Sequence, residues 1–162
     1  MAVGIHGYVF LMGGNLQNED APASRSVDQF SLVRRQWEVG PPLVSARISG
    51  AAAKVKQCII ACCGDSMAPN NQGEPDFNFL SSVEMLDMTT TPRKWSSLAS
   101  MSTQRDRLAA AGCGSAVYVF GGRSNFMDDN GLKTGEMFSL ETGQWTSLPS
   151  MVTGRLDFAL AA

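Results

Sequence analysis

Val117-Tyr118-Val119-Phe120-Gly121-Gly122, then Phe138-Ser139-Leu140, Trp145, Thr153 and Arg155: this order of marks recurs along the chain and decides how it folds. The tryptophans Trp37, Trp95 and Trp145 set the frame, at separations of 58 and 50 residues. Eight residues after each come Ser45, Thr103 and Thr153, and ten after each come Arg47, Arg105 and Arg155. A small-residue run then follows: Ala51-Ala52-Ala53, Ala109-Ala110-Ala111 and Ala159-Leu160-Ala161. Phe30 and Phe138 stand seven residues before their tryptophans in short alternating runs, the pattern of half-buried strands. Further upstream, Gly13-Gly14 closes Tyr8 to Met12 as Gly121-Gly122 closes Val117 to Phe120, and the middle copy reads Cys58 to Cys63 and Gly64, with Cys63 in place of the first glycine.

From the second glycine to the tryptophan is 23 residues in the first and third copies and 31 in the middle one. Most of the excess falls in Asp65 to Ser81, rich in Asn, Pro, Gly and Ser, which reads as an exposed loop; two more residues lengthen the turn Asp87 to Lys94. Each copy predicts four short strands: an Ala/Gly-rich one, an apolar one ending in glycines, an alternating one, and one opened by tryptophan. Strands at steady spacing with Gly-rich turns and no sustained helical period indicate an all-β architecture. Small residues let the first strands crowd around an axis, the glycines permit positive φ where the chain leaves the sheet, and tryptophan lays a large apolar face on a neighbouring sheet while its N–H finds one acceptor.

The 162 residues are 44% hydrophobic and 17% charged, which suits a globular domain rather than a disordered one. The net charge of −2 comes with no basic block, so nucleic acid and anionic membranes are poor partners. Apolar runs such as Cys58 to Cys63 fall well short of the roughly 20 residues that span a bilayer. The N-terminal stretch Met1 to Gly14 has no leading positive charge or small-residue cleavage site and reads as strands, not as a signal peptide. Cys58, Cys62, Cys63 and Cys113 form neither a zinc-like pair nor a disulfide framework; they are expected as reduced, buried thiols, which points to the cytoplasm.

These marks, a hydrophobic run closed by Gly-Gly, an aromatic seven residues before a Trp and an Arg ten after it, resemble the kelch repeat. The resemblance covers nearly the whole chain and implies a β-propeller segment of three four-stranded blades in an incomplete ring. The blades are expected at about 1–40, 47–98 and 105–148, with 155–162 the first strand of a further blade. The sequence departs from the family at Phe30 and Phe138, where tyrosine is usual, at Leu86, the nearest counterpart in the middle copy, and at Cys63. Propellers close with about four to eight blades, so three repeats leave two faces open to self-association, and the chain reads as a piece of a longer protein ahead of a half-ring that pairs with a second copy.

The resemblance implies a module that binds proteins, with no cofactor. In adaptor-type members the arginine of the loop joining one blade to the next often faces the partner, which would make Arg47, Arg105 and Arg155 an arc of guanidinium groups suited to the carboxylates of an acidic peptide, with Ser45, Thr103 and Thr153 beside them. The same recurrence also suits an arginine bonding backbone carbonyls of the next blade. The insertion Asp65 to Ser81 is the feature private to one blade, and so a candidate recognition loop. Some kelch-like propellers are copper-radical oxidases or sugar isomerases, but His6 is the only histidine, with Tyr8 and Tyr118 the only tyrosines, so an enzyme would need its site in other blades. Asp128-Asp129-Asn130-Gly131 lacks the alternating spacing and closing Glu of a calcium loop and reads as a solvated turn. A ubiquitin-ligase adaptor and an actin-associated scaffold are both compatible with the resemblance.

Overall fold

The computed structural model describes residues 1–15, 22–69, 72, 75–127 and 129–162. Among them stand three four-stranded antiparallel sheets and no helix, so no helix is long and apolar enough to cross a membrane. The first sheet is β1 (Ala2–Ile5), β2 (Tyr8–Met12), β3 (Val27–Ser31) and β4 (Gln36–Val39), in that order. The second begins with β5 (Ala51–Val55) and β6 (Cys58–Cys62), continues beyond a small hairpin of β7 (Ala68–Pro69) and β8 (Pro75–Asp76), and is completed by β9 (Val83–Asp87) and β10 (Trp95–Leu98). The third is β11 (Ala109–Cys113), β12 (Ala116–Phe120), β13 (Gly135–Ser139) and β14 (Gln144–Leu148). The fold is thus that of three propeller blades in an unclosed ring. Residues 156–162 form no strand.

Register shows what each repeat mark does. Phe30 faces Trp37 across β3 and β4, Phe138 faces Trp145, and in the middle blade Leu86 faces Trp95, so the leucine takes the aromatic's place and the longer turn absorbs the two-residue offset. The core lies between blades rather than within them. Phe10, Met12 and Val27 of the first sheet pack against Ile59, Ala61, Leu86 and Trp95 of the second. Ile60, Cys62 and Val83 on the other face of the second sheet pack against Val117, Val119 and Phe138 of the third. Burying a side chain of this size contributes roughly 1.5–3 kcal/mol, so cohesion resides at the boundaries.

The first strands crowd together, as their small residues allow. A Cβ on Gly112 of β11 would lie 1.9 Å from the Lys54 carbonyl of β5, a contact only glycine permits. Ser49 and Arg107, just before β5 and β11, and Asp157 at the same repeat position all adopt φ near +50°, and Arg107 N–H donates to the Ser49 carbonyl as Asp157 N–H donates to that of Arg107. This backbone ladder steps from each blade to the next.

Two expectations need correcting. The insertion after Asp65 is not a wholly exposed loop: Asp65 and Met67 are buried, and β7 and β8 pair within it, because extra chain still has to satisfy its own backbone groups where it crosses the sheet end. The cysteines are all free, but only Cys62 and Cys63 are buried; Cys58 is half-buried and Cys113 is exposed where β11 ends at the turn.

Candidate partner-binding surface

The loops from Trp37, Trp95 and Trp145 to the next first strand carry the repeated Ser/Thr and Arg, and the structure does not put these arginines on the surface together. Arg47 is fully buried; its Nη2 lies 2.6 Å from Glu84 Oε1, and its Nη1 donates to the carbonyls of Cys63 (2.6 Å) and Ser82 (3.2 Å). Arg105 repeats the arrangement one blade on: Nη1 donates to Gly121 O (2.8 Å) and Thr134 O (3.1 Å), and Nη2 to Thr134 Oγ1 (2.9 Å) and, at 3.4 Å, to Glu136 Oε1. The expectation of a guanidinium arc is corrected at these two positions: each arginine ties the loop that enters a blade to that blade's second and third strands. Only Arg155 is exposed, and its side chain pairs with nothing among the described residues.

The hydroxyl residues also divide. Ser45 and Thr103 are half-buried, and Thr153 is exposed. The backbone N–H of Ser45 donates to Glu84 and that of Ser102 to Glu136, so each carboxylate anchors the incoming loop as well as the arginine. The glycine marks complete the joint: the N–H groups of Gly14, Gly64 and Gly122 donate to the carbonyls of Arg47, Arg105 and Arg155 at 2.9, 2.7 and 2.9 Å. Gly13 and Gly121 precede them at φ near +65°, and Cys63 holds the same left-handed conformation at φ 56°.

The loop end of the second and third blades instead carries a cluster whose members are not among the repeated marks. Phe77 and Phe79 from the insertion both meet Phe126 edge-on, with ring centroids 4.9 and 4.8 Å apart. The Arg123 guanidinium lies 4.8 Å over the Phe126 centroid and 5.8 Å over that of Phe79. It is held by buried Asp106, whose two carboxylate oxygens accept from Nε at 3.0 Å and Nη2 at 3.3 Å. Phe77 and Phe126 are each 44% exposed and Met127 is 93% exposed, so an apolar patch sits on a braced, charged base. Beneath it, burial pushes the Asp65 carboxyl above the usual range, while its Oδ1 accepts from Asn78 N–H. The signal in the sequence was two phenylalanines, two apart, inside an insertion otherwise rich in Asn, Pro, Gly and Ser.

His6 lies in the turn between β1 and β2 with φ 49°, and Tyr8 and Tyr118 are on strands of different blades. Among the described residues no three His, Cys, Asp or Glu side chains stand close enough to hold a metal ion. Asp128 of the acidic turn lies outside the described residues.

The Kelch motif family matches residues 104–152. An F-box/kelch-repeat protein of Arabidopsis thaliana is 26% identical over 107 residues, 66% of this chain and 27% of its own length. The solved structure of YjhT superposes with a TM-score of 0.77 at 15% identity, over 99% of this chain and 57% of that one, a likeness of fold alone. The chain therefore spans little more than a quarter of the curated relative it matches.

Proposed function

The chain belongs to the kelch-repeat family, and on that premise we propose that it is a protein-interaction module, the substrate- or partner-recognition part of an adaptor or scaffold. The observation that carries this is the Phe77, Phe79, Phe126 and Met127 patch at the loop end of two adjacent blades. Exposed aromatic clusters on a rigid base are where binding energy concentrates at protein interfaces. Arg123, already desolvated against two rings and fixed by Asp106, adds a donor at the centre without an ordering cost on binding.

In place of an acidic-peptide site built on three arginines stands an apolar anchor site with Arg123 against its rings and Gln104 bonded to the neighbouring Ser124 carbonyl. The partner is a protein segment with an exposed aromatic or aliphatic side chain to pack on the exposed surfaces of Phe77 and Phe126. The F-box/kelch name of the relative supports a ubiquitin-ligase adaptor over an actin scaffold.

The test is affinity capture with the wild-type chain against Phe77→Ser/Phe126→Ser, after circular dichroism has shown that both fold alike. Proteins retained by the wild type and lost by the variant place recognition on this patch. An unchanged set of captured proteins refutes it.

A further inference from the structure

The turn from third to fourth strand is closed in the first and third blades and open in the middle one. In the closed turns, residues 32–35 and 140–143, Arg35 N–H donates to the Ser31 carbonyl at 2.7 Å and Gly143 N–H to that of Ser139 at 2.8 Å. The serine hydroxyls accept as well, from Arg34 N–H at 3.1 Å and Thr142 N–H at 3.3 Å. In the middle blade residues 88–94 take this place, and Asp87 stands where the serines stand. Met88 N–H still reaches the Gln57 carbonyl, as Leu32 N–H reaches that of Gly7 and Leu140 N–H that of Ser115. Beyond it, no N–H from Thr90 to Lys94 donates to a backbone carbonyl among the described residues.

Three threonines stand in this open turn, and one keeps a free hydroxyl. Thr89 gives both its N–H (2.8 Å) and its hydroxyl (2.7 Å) to Asp87 Oδ1, and Thr90 Oγ1 donates to the Asp87 carbonyl at 3.0 Å. Thr91 is exposed, and its hydroxyl makes no hydrogen bond among the described residues. Pro92 follows, also exposed, with its φ fixed and no N–H to satisfy. Arg93 is half-buried, its guanidinium 5.7 Å over the Tyr8 ring of the first blade, and Lys94 is exposed. Neither cation pairs with a carboxylate among the described residues. The turn belongs to the middle blade, which packs against a blade on either side, so its exposure is set by neighbours that are both present.

We propose that Thr91 is a phosphorylation site, the acceptor for a protein kinase that selects proline directly after the hydroxyl residue and a basic residue two positions further on. A segment without backbone bonds can lie extended in a kinase cleft and leave the strand ladders intact, and Lys94 offers the cation that carboxylates of such a cleft would meet. Thr91 Oγ1 attacks the γ-phosphorus of ATP. The bond from that phosphorus to the β-bridging oxygen breaks, ADP leaves, and the hydroxyl proton passes to the kinase's carboxylate base. The product carries about two negative charges and three acceptor oxygens beside Arg93 and Lys94. A charge-assisted bond to a dianion outweighs an exposed cation–π contact, so Arg93 leaves Tyr8 for the phosphate. One contact across the boundary of the first two blades is thereby exchanged for one within the turn. The site is separate from the aromatic patch: Phe77 and Phe79 lie in the connection from β6 to β9, at the other end of this sheet.

The test uses the purified 162-residue chain, ATP and a cyclin-dependent kinase, a class with this selectivity, with a peptide of residues 84–98 to show that the kinase is active. Mass spectrometry is expected to find one phosphate per folded chain, on Thr91 and not on Thr89 or Thr90. Thr91→Val should take up none, and Pro92→Ala and Lys94→Gln should slow transfer about ten-fold or more. Melting curves check that each variant folds as the wild type does. Tyr8 and Tyr118 are the only tyrosines, so ring-labelled tyrosine gives two sets of NMR signals. Phosphorylation is expected to shift those of Tyr8 as Arg93→Gln does and to leave those of Tyr118 in place. A folded chain left unmodified while the peptide is phosphorylated overturns the proposal. Phosphate on another residue, transfer indifferent to Pro92 and Lys94, or unmoved Tyr8 signals overturn it equally.

Discussion

Arg47 and Glu84 stand 2.6 Å apart, both essentially without solvent, on opposite sides of the junction between the first two blades. Removing one member leaves the other charged, buried and unpaired, which typically costs about 3–5 kcal/mol. Arg47→Ala is therefore expected to unfold the chain at a much lower urea midpoint. Arg105→Ala is expected to cost less, because its contact to Glu136 is longer at 3.4 Å and its Nε already lacks a partner. Equal losses would show that the carbonyl bonds common to both arginines, not the carboxylates, set the energy.

Trp95 is 2% exposed and donates to Pro41 O, while Trp145 donates to Ala99 O from a half-buried position. Trp95→Ala should cost about 3–5 kcal/mol, the upper range for a large core truncation. Trp145→Ala should cost roughly half as much, since part of its face is already wet. Urea titration of the two variants orders them, and a reversed order would move the core's weight to the second boundary.

The thiols report the same burial chemically. Burial pushes Cys63 up to about 12 and Cys62 well above its ordinary value, whereas Cys113 is exposed. A thiol-specific reagent at pH 8 is expected to modify Cys113 first and Cys62 and Cys63 only on unfolding. A raised folded pKa means that the unfolded chain releases its proton first. The stability the Cys63 thiol contributes is complete below about 9 and is lost as pH rises towards about 12, and the Cys62 thiol acts in the same direction. Urea midpoints are therefore expected to fall between pH 8 and pH 10, and Cys63→Ala should flatten that slope.

Glycine marks differ in what they hold. A Cβ at Gly64 would fall 2.2 Å from the Ile48 carbonyl, whereas one at Gly114 would meet nothing, although both have positive φ. Gly114→Ala should cost about 1–2 kcal/mol for conformation alone. Gly64→Ala should cost clearly more, because backbone must move. Denaturation midpoints for the pair separate turn strain from steric exclusion.

Much of this was legible beforehand. Spacing from the tryptophans gave blade number, strand order and Leu86 as the stand-in for an aromatic, because repeats report the same physical constraint three times over. Which way Arg47 points was not legible: its sequence position suits a ligand or a carbonyl equally, and the choice depends on Glu84, thirty-seven residues away. The Phe77 and Phe126 patch escaped for a related reason. Its members occur once, in loops of different blades, and no periodicity marks residues that only folding brings together.

The backbone ladder of Ser49, Arg107 and Asp157 has a consequence for how such a chain can grow. Each rung needs only the carbonyl of the rung before it, whatever the side chain: serine, arginine and aspartate serve alike. A gene segment copied from one rung to the next would therefore splice in anywhere along the array and find its acceptor waiting. The protein can thus lengthen or shorten by whole units, while a hairpin such as β7 and β8, which pairs only with itself, can change without disturbing the spindle on which the units are threaded.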